Sequence, residues 1–450
     1  MAATPLITAL DVGKYLKIVS RGAVYNNLSE DSEIWNRVKK MKAGPAEGRE
    51  NRFNLRSGYG AAAVGELPLS GGAYPSAHKS TLNEGTMVFK DYACTIELER
   101  TILQKALSDM SKYGEPLAEE IRAKTIAMSR LLSYRAYGDG TGAIGEVASS
   151  AASSNKVVVT LKSTNTCRGF VGWFEIGDKL VMADTAGTAV SPDAATAYSY
   201  MRVDDKDRVA NTVTLAAINT SGAQINQSAT TNIVAGTLFY RLQQSTNGSI
   251  PSVSSISADY NTLSESWCGL ESLGQNDGRL VNGITLSGAL GGTRFDVGGT
   301  AIDSQDFQQA MSQLMIRVGQ GRYKYKAPIM AWETLDALVE SRETDRRFQS
   351  IKDDKRGVEQ LGYVHGKNTL IFTPDEFCRK DRIYVLPEGD VLQFYGEDFE
   401  WVNPDGKGQK FYLRPNSSGH DRVVRAYMEG SGAFFAVHPA AILTLHNFTV

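Results

Sequence analysis

The hydrophobic pattern is most regular between Gly114 and Gly142, where Leu117, Ile121, Thr125, Met128, Leu132 and Arg135 recur at helical spacing and predict one long amphipathic helix. Arg122, Lys124 and Arg130 lie largely off that stripe. Pro116 stands where a missing N–H costs nothing, Glu115, Glu119 and Glu120 place negative charge at the positive end, and Arg130 and Arg135 place positive charge at the other. Gly138, Gly140 and Gly142 then stop the helix, and the GDGTG run that contains them reads as a turn. Glu115 to Tyr137 would extend about 35 Å, a strut longer than the average globular helix.

Ahead of this strut, residues 1 to about 50 are polar and helical in pieces, with Asp31 or Ser32 as a cap before Ile34, Trp35 and Val38. From Arg52 to about Leu98, short extended pieces flank a centre rich in Gly, Ala, Ser and Pro, and Met87 to Leu98 is the firmest strand. Such a ribbon cannot bury a core of its own, which points to a resting place on another subunit. Glu99 to Met110 reads as a short helix.

Behind the strut, Ala148 to Ser154 is a run of small residues that reads as a linker. Five strand-like runs follow, beginning at Asn155, Phe174, Ala197, Arg208 and Gly236, with Asp204, Asp205, Lys206 and Asp207 supplying turn residues between two of them. A small barrel or sandwich of about 100 residues is expected there. Gln243 to Ser255 is a second polar linker, so the module looks like an insertion. Ser304 to Val318 is an amphipathic helix carrying Phe307, Ala310, Met311, Leu314 and Met315. Strands at APIMA (327), TLIFTP (369), DRIYVLP (381) and VLQFYG (391), with a helix from Trp332 to Ser341, give an α/β pattern. The ending from Val423 alternates strand-like runs with Gly or Pro breaks, and the layer under the long helix is its expected partner.

Composition narrows the function classes. The chain has 450 residues, roughly three domains' worth, and 42% apolar against 22% charged residues supports sizeable cores. With 48 basic and 50 acidic residues the net charge is −2, so no global field captures nucleic acid or an anionic membrane. Arg37, Lys39, Lys40, Lys42, Arg49, Arg52 and Arg56 form a local basic run, either a solvated face or a contact with a nucleic-acid backbone or an acidic neighbouring subunit. Cys94, Cys167, Cys268 and Cys378 make no CxxC pair and read as reduced, buried thiols of a cytosolic protein. The N-terminus has no basic-then-apolar secretory pattern, and GAFFAVHPAAILTL is too short to span a bilayer.

Catalytic candidates do not accumulate. His78, His365, His420, His438 and His446 show no helical metal spacing, no GxxxxGK or GxSxG motif occurs, and the Asp pairs sit in polar turns. No enzymatic role, cofactor or metal is expected. Lys79 or Lys90 of the extended segment could form an isopeptide bond with an Asn of a neighbouring chain, but no spacing picks out that partner, and an ordinary exposed lysine is the simpler reading.

The order of pieces resembles the major capsid proteins of tailed bacteriophages, the Hong Kong 97 type. MVFKDYACTIELERTILQKAL (87 to 107), LLSYRAYGDGTG (131 to 142), APIMAWETLDAL (327 to 338) and the ending VVRAYMEGSGAFFAVHPAAILTL carry the resemblance. It implies an α+β Hong Kong 97-like capsid fold. Its parts would be an N-terminal arm at 1–50, an E-loop hairpin at 51–98 and a peripheral domain with the spine helix at 99–146. A connection at 254–303, an axial domain at 304–422 and closing peripheral strands at 423–450 complete it. The 147–253 module departs from the family pattern as an inserted small β-barrel or sandwich.

The resemblance further implies hexamers and pentamers closing into an icosahedral shell around packaged double-stranded DNA in the virion, assembled in the host cytoplasm. A portal, a decoration protein and a scaffolding protein, separate because the arm is too short to be one, are the implied partners, and no membrane is. Arg37, Lys39, Lys40, Arg52, Arg56, Lys79 and Lys90 are the assembly-interface candidates. Two alternatives stay open: a nanocompartment shell with the same fold, and a β-rich adhesion or glycan-binding protein using Trp173 and Tyr198 as an aromatic platform, against which those rings would instead be barrel core.

Overall fold

The computed structural model describes residues 32–42, 50–58, 81–99, 110–153, 155–163, 169–184, 200–218, 223–224, 233–241, 268–319, 322–341, 348–352, 359–365, 368–389, 391–396, 400–401, 412–416 and 419–450. The expected 99–110 helix, the 243–255 linker, Cys167 and Tyr198 lie largely or wholly outside them. The chain divides into two compact units: residues 1–46, 89–133 and 394–433, and residues 47–88, 134–393 and 434–450.

The spine helix α1 (Met110–Ala136) has 27 residues and would measure about 40 Å. It starts earlier than its charge pattern suggests, so Pro116 is its seventh residue rather than its first. One proline removes a single backbone hydrogen bond, which a helix of this length outweighs. Within the described part of the stripe Thr125, Met128, Leu132 and Arg135 are buried while Arg122 and Arg130 are exposed, as the periodicity requires; the Leu117 and Ile121 side chains lie outside the described residues.

GDGTG ends the helix as a tight turn. The Asp139 carboxylate accepts from the Thr141 amide at 3.0 Å and hydroxyl at 2.6 Å, and Gly140 and Gly142 adopt φ of 89° and 83°. Gly269 fits against this turn because it lacks a side chain: a Cβ there would lie 2.5 to 2.7 Å from the Ala136, Arg135 and Gly138 carbonyl oxygens.

In the first unit a six-stranded sheet forms around the long strand Gly419–Ala436, which continues into the second unit. Lys90–Glu99 pairs with it antiparallel, Val423 opposite Glu99 through Gly432 opposite Lys90. Beside it lies Leu392–Gly396, joined in turn by Lys39–Lys42. Trp35, in the single helical turn Ile34–Arg37, is buried edge-on against Phe394 at 5.2 Å. The strand expected over Met87–Leu98 is divided at Phe89: Thr81–Val88 pairs with Glu50–Gly58, and Lys90–Glu99 with the C-terminal strand.

In the second unit a closed barrel takes its strands in the order Leu238–Arg241, Gly145–Ser153, Lys156–Leu161, Thr212–Ile218, Tyr200–Asp207, Lys179–Ala183. Residues 148–153 of the expected linker are therefore most of a strand that closes the barrel. Its first three residues are buried and most of the rest are exposed, and the register shifts between Val147 and Ser149, so small residues suffice beyond the bulge. The 204–207 turn is also displaced. The strand runs to Asp207, opposite Thr212, and the chain reverses over Arg208–Asn211. Asp207 still serves the turn, accepting from the Val209 and Ala210 amides at 2.8 and 2.9 Å. Trp173 and Phe174 are buried, and the Trp173 indole N–H donates to the Phe377 carbonyl at 2.9 Å. That ring offers no platform to a glycan.

The other main layer is a five-stranded sheet ordered Thr293–Asp296, Leu443–His446, Arg382–Pro387, Tyr325–Met330, Thr373–Pro374. The last strand thus inserts between Thr293–Asp296, in parallel, and Arg382–Pro387, antiparallel. Among the closing strands it is Gly419–Ala436, not this one, that pairs with the strand leading toward the spine helix. Helix α2 (Ser304–Val318) buries Phe307, Ala310, Met311 and Leu314 in this layer's core, with Phe307 edge-on to Phe372 at 5.1 Å. Asp303 and Asp306 close a reciprocal capping box at its start. Helix α3 (Trp332–Glu340) buries Thr334 and Leu338.

Candidate assembly site

The hairpin is anchored near its Glu50–Val88 end. Glu50–Gly58 and Thr81–Val88 pair antiparallel, Glu50 opposite Val88 through Arg56 opposite Leu82, then shift to Gly58 opposite Thr81. Leu55 and Met87 are buried. The Phe53 ring meets Phe435 with centroids 4.1 Å apart, and Gly85 leaves room for it, since a Cβ there would sit 2.5 Å from the Phe53 ring and 2.8 Å from the Asn282 carbonyl. The Thr86 amide donates to that carbonyl at 2.8 Å. Asn282 and Gly283, at φ of 51° and 75°, form the two-residue turn between Leu280–Val281 and Ile284–Thr285, the left-handed geometry that favours Asn-Gly.

The basic candidates divide between elements. Arg37 pairs with Glu33 at 3.1 Å, and Lys39 and Lys40 are exposed in the strand that follows, the Lys40 ammonium 6.0 Å from the Trp35 ring. Arg52 lies on the hairpin and meets Glu84 across the strands at 3.4 Å; both are so exposed that the pair contributes little. Arg56 is in the same strand, Lys90 is half-buried opposite Gly432, and the Arg56 side chain and Lys79 lie outside the described residues. Arg37, Lys39 and Lys40 are thus neighbours, while Arg52 and Arg56 belong to the hairpin.

The densest electrostatic site is one that no local pattern announces. Glu271, buried in the turn Leu270–Leu273, accepts from Arg382 Nε at 3.2 Å, the Tyr384 hydroxyl at 2.8 Å and Gln275 Nε2 at 3.1 Å, with Arg294 at 3.6 Å. Asp381 accepts from Arg379 Nε and Nη2 at 3.0 and 2.8 Å and from Arg382 Nη1 at 2.7 Å. Although burial alone would raise both carboxyls, the surrounding guanidiniums hold Glu271 and Asp381 below the usual carboxylate range. The same burial pushes the Tyr384 hydroxyl well up. Arg379, Arg382, Tyr384 and Gln275 all donate to Glu271 or Asp381, while Arg294 Nη1 faces Glu271 beyond hydrogen-bond distance, an arrangement that reads as a clamp.

His446 stands beside this clamp, opposite Asp296 on one side and Arg382 on the other. Burial first, then Arg294 and Arg382, depress its pKa to about 4. The unfolded chain takes up a proton near pH 6.5 and the folded chain only near 4, so stability is full above 6.5 and falls as pH drops through that window. Urea titrations should show about 2 kcal/mol less stability at pH 5 than at pH 8 from this group. His446→Gln should remove most of that difference, whereas carboxylate protonation adds its own loss only at lower pH.

Among the described residues no group of three His, Cys, Asp or Glu side chains is placed to hold a metal, and no helix is long and apolar enough to cross a membrane. Cys268 and Cys378 are buried, and burial raises the Cys378 thiol well above its ordinary value. The class these features define is a mixed helix-and-strand chain with a long spine helix, an anchored extended hairpin and a closed barrel.

No family model and no curated protein matches the sequence. Solved structures similar to the chain include the Cyanophage A-1(L) capsid asymmetric unit, at 8% identity and a TM-score of 0.45 over 93% of each chain. The holo-SrpI encapsulin complex from Synechococcus elongatus aligns at 8% identity and a TM-score of 0.41, over 92% of this chain and 87% of that one. The satellite phage P4 procapsid that includes its size determination protein aligns at 8% identity and 0.40 over 99% of each chain.

Proposed function

We propose that the chain is the structural subunit of a closed protein shell, a major capsid protein of the Hong Kong 97 type. In this reading hexamers and pentamers of it form the icosahedral head of a tailed phage around packaged double-stranded DNA. The observation that carries it is the hairpin. A ribbon with eight and nine residues in its two strands is fixed at one end by Phe53, Gly85 and Thr86 on Phe435 and Asn282, while 22 residues, 59 to 80, connect its far ends. A two-stranded ribbon is marginal alone, so its outer part requires another surface, and a neighbouring copy supplies one at every position of a closed lattice.

The spine helix links the strand that pairs with Gly419–Ala436 to the GDGTG turn, as a strut in such a subunit must. Near-zero net charge suits an inner wall that contains DNA without gluing it down. The barrel is an inserted surface domain in this reading, and a separate scaffold, a portal and a decoration protein are the partners. Arg37, Lys39, Lys40, Arg52, Arg56, Lys79 and Lys90 are the interface candidates.

The test replaces residues 59–80 with an Asn-Gly turn. The variant should keep the thermal stability of the parent and its folded circular dichroism, yet form no closed shells in negative-stain microscopy. Normal shells from that variant would sink the reading. Nuclease-protected DNA inside parental shells made in infected cells separates a phage head from a nanocompartment with protein cargo.

A further inference from the structure

The outward face of α2 is unlike an ordinary solvent-facing helix surface. Gln305, Gln309, Gln313 and Ile316 are exposed along it with Ser312 half-buried beside them, and no charged residue occurs between Asp306 and Arg317. Arg317, at the C-terminal end of the face, directs its guanidinium to the Gly288, Gly291 and Gly292 carbonyls rather than along the stripe. Burial accordingly lowers its pKa. Ile316 is 84% exposed, and a hollow of about 580 Å³ runs along the face, floored on one side by Phe295. An uncharged stripe with an exposed aliphatic knob and an adjoining hollow has the makeup of an interface centre, where charge is depleted, rather than of a hydrated surface.

We propose that this face docks on the same face of a second copy of the chain. The occupant follows from the chemistry of the stripe. A primary amide both donates and accepts, so a row of glutamines complements itself, and two stripes that carry no charge between Asp306 and Arg317 meet without repulsion along their length. Nucleic acid would need cations here and an acidic or basic peptide an opposite charge, and the stripe offers neither. Ile316 and the hollow lie on one helix, so a two-fold pairing seats each copy's Ile316 in the other's hollow.

A 15-residue helix contributes only part of the roughly 1,200 Å² that a stable complex buries, which makes the contact weak in isolation and effective when repeated. The inference deepens the shell reading and rests on it for that repetition.

The experiment treats full-length Gln313→Cys with a short bismaleimide at high protein concentration, with the unsubstituted protein as control for the four native cysteines. A dimer absent from the control, whose linked peptides join residue 313 of two copies by mass spectrometry, is the expected result. Ile316→Lys added to that variant should reduce the dimer at least tenfold while leaving the melting temperature unchanged, since the side chain touches solvent in the single chain. No dimer, a link from 313 to a native cysteine, or a dimer indifferent to Ile316→Lys overturns the proposal. Shells that form without the dimer remove this contact and leave the shell reading intact; the dimer without shells does the reverse.

Discussion

Glu271→Ala should bring the subunit close to unfolding at room temperature. The carboxylate is the common acceptor of Arg382, Tyr384 and Gln275 and faces Arg294 as well. Its loss leaves a fully buried guanidinium balanced only by Asp381, a second one with no acid, and an orphaned phenol. Removing one partner of a buried pair costs about 3–5 kcal/mol, a large share of the roughly 5–15 kcal/mol that holds a typical domain together. Urea denaturation at pH 7 should show a midpoint lowered in that proportion, with Glu271→Gln, which keeps an acceptor but no charge, losing less. A midpoint unchanged by Glu271→Ala would show that the cluster is not the clamp its geometry describes.

Met128→Asp should be as damaging, through a different route. Met128 is buried on the spine helix's apolar stripe, one turn from Leu132, which is fully buried. A carboxylate there must either stay ionised without a partner or take up a proton, and either route costs several kcal/mol. Arg130→Ala, two residues on and exposed, is the internal control and should change stability by less than about 0.5 kcal/mol. Soluble, folded Met128→Asp protein with an unchanged melting temperature would contradict the burial of the stripe.

The two substitutions also divide what the sequence displays from what it hides. The spine stripe was legible because a helix writes its buried face at 3.6-residue intervals, and α2 because Phe307, Ala310, Met311 and Leu314 recur in the same way. Gly145–Ser153 was not. Its alanines and serines carry no alternation, and only its neighbours Lys156–Leu161 and Leu238–Arg241 make it a strand.

Phe89 shows a second limit. Alternation runs on past it from Met87 to Leu98, but periodicity does not say which partner a strand takes, and the partner changes there. The Glu271 clamp joins residues 111 positions apart in the chain, so each of its charges looks like an ordinary polar residue when read alone. The turn at Asn282-Gly283 did carry a signal, an Asn-Gly pair between Leu280–Val281 and Ile284–Thr285, although its role under the hairpin depends on Phe53 and Phe435 being brought to it. Arg37, Lys39, Lys40 and Arg52 were visible as charge. What they would contact in an assembly lies in no single chain.

The barrel's first and last strands are neighbours: Gly145 stands opposite Phe239 and Glu146 opposite Leu238. Antiparallel partners lie about 5 Å apart, so the chain enters this module and leaves it through what is nearly a single doorway. A foreign domain whose own termini sit side by side could be spliced at that doorway without asking the flanking chain to change course. The Gly145–Arg241 interval is therefore a natural splice site for such a domain.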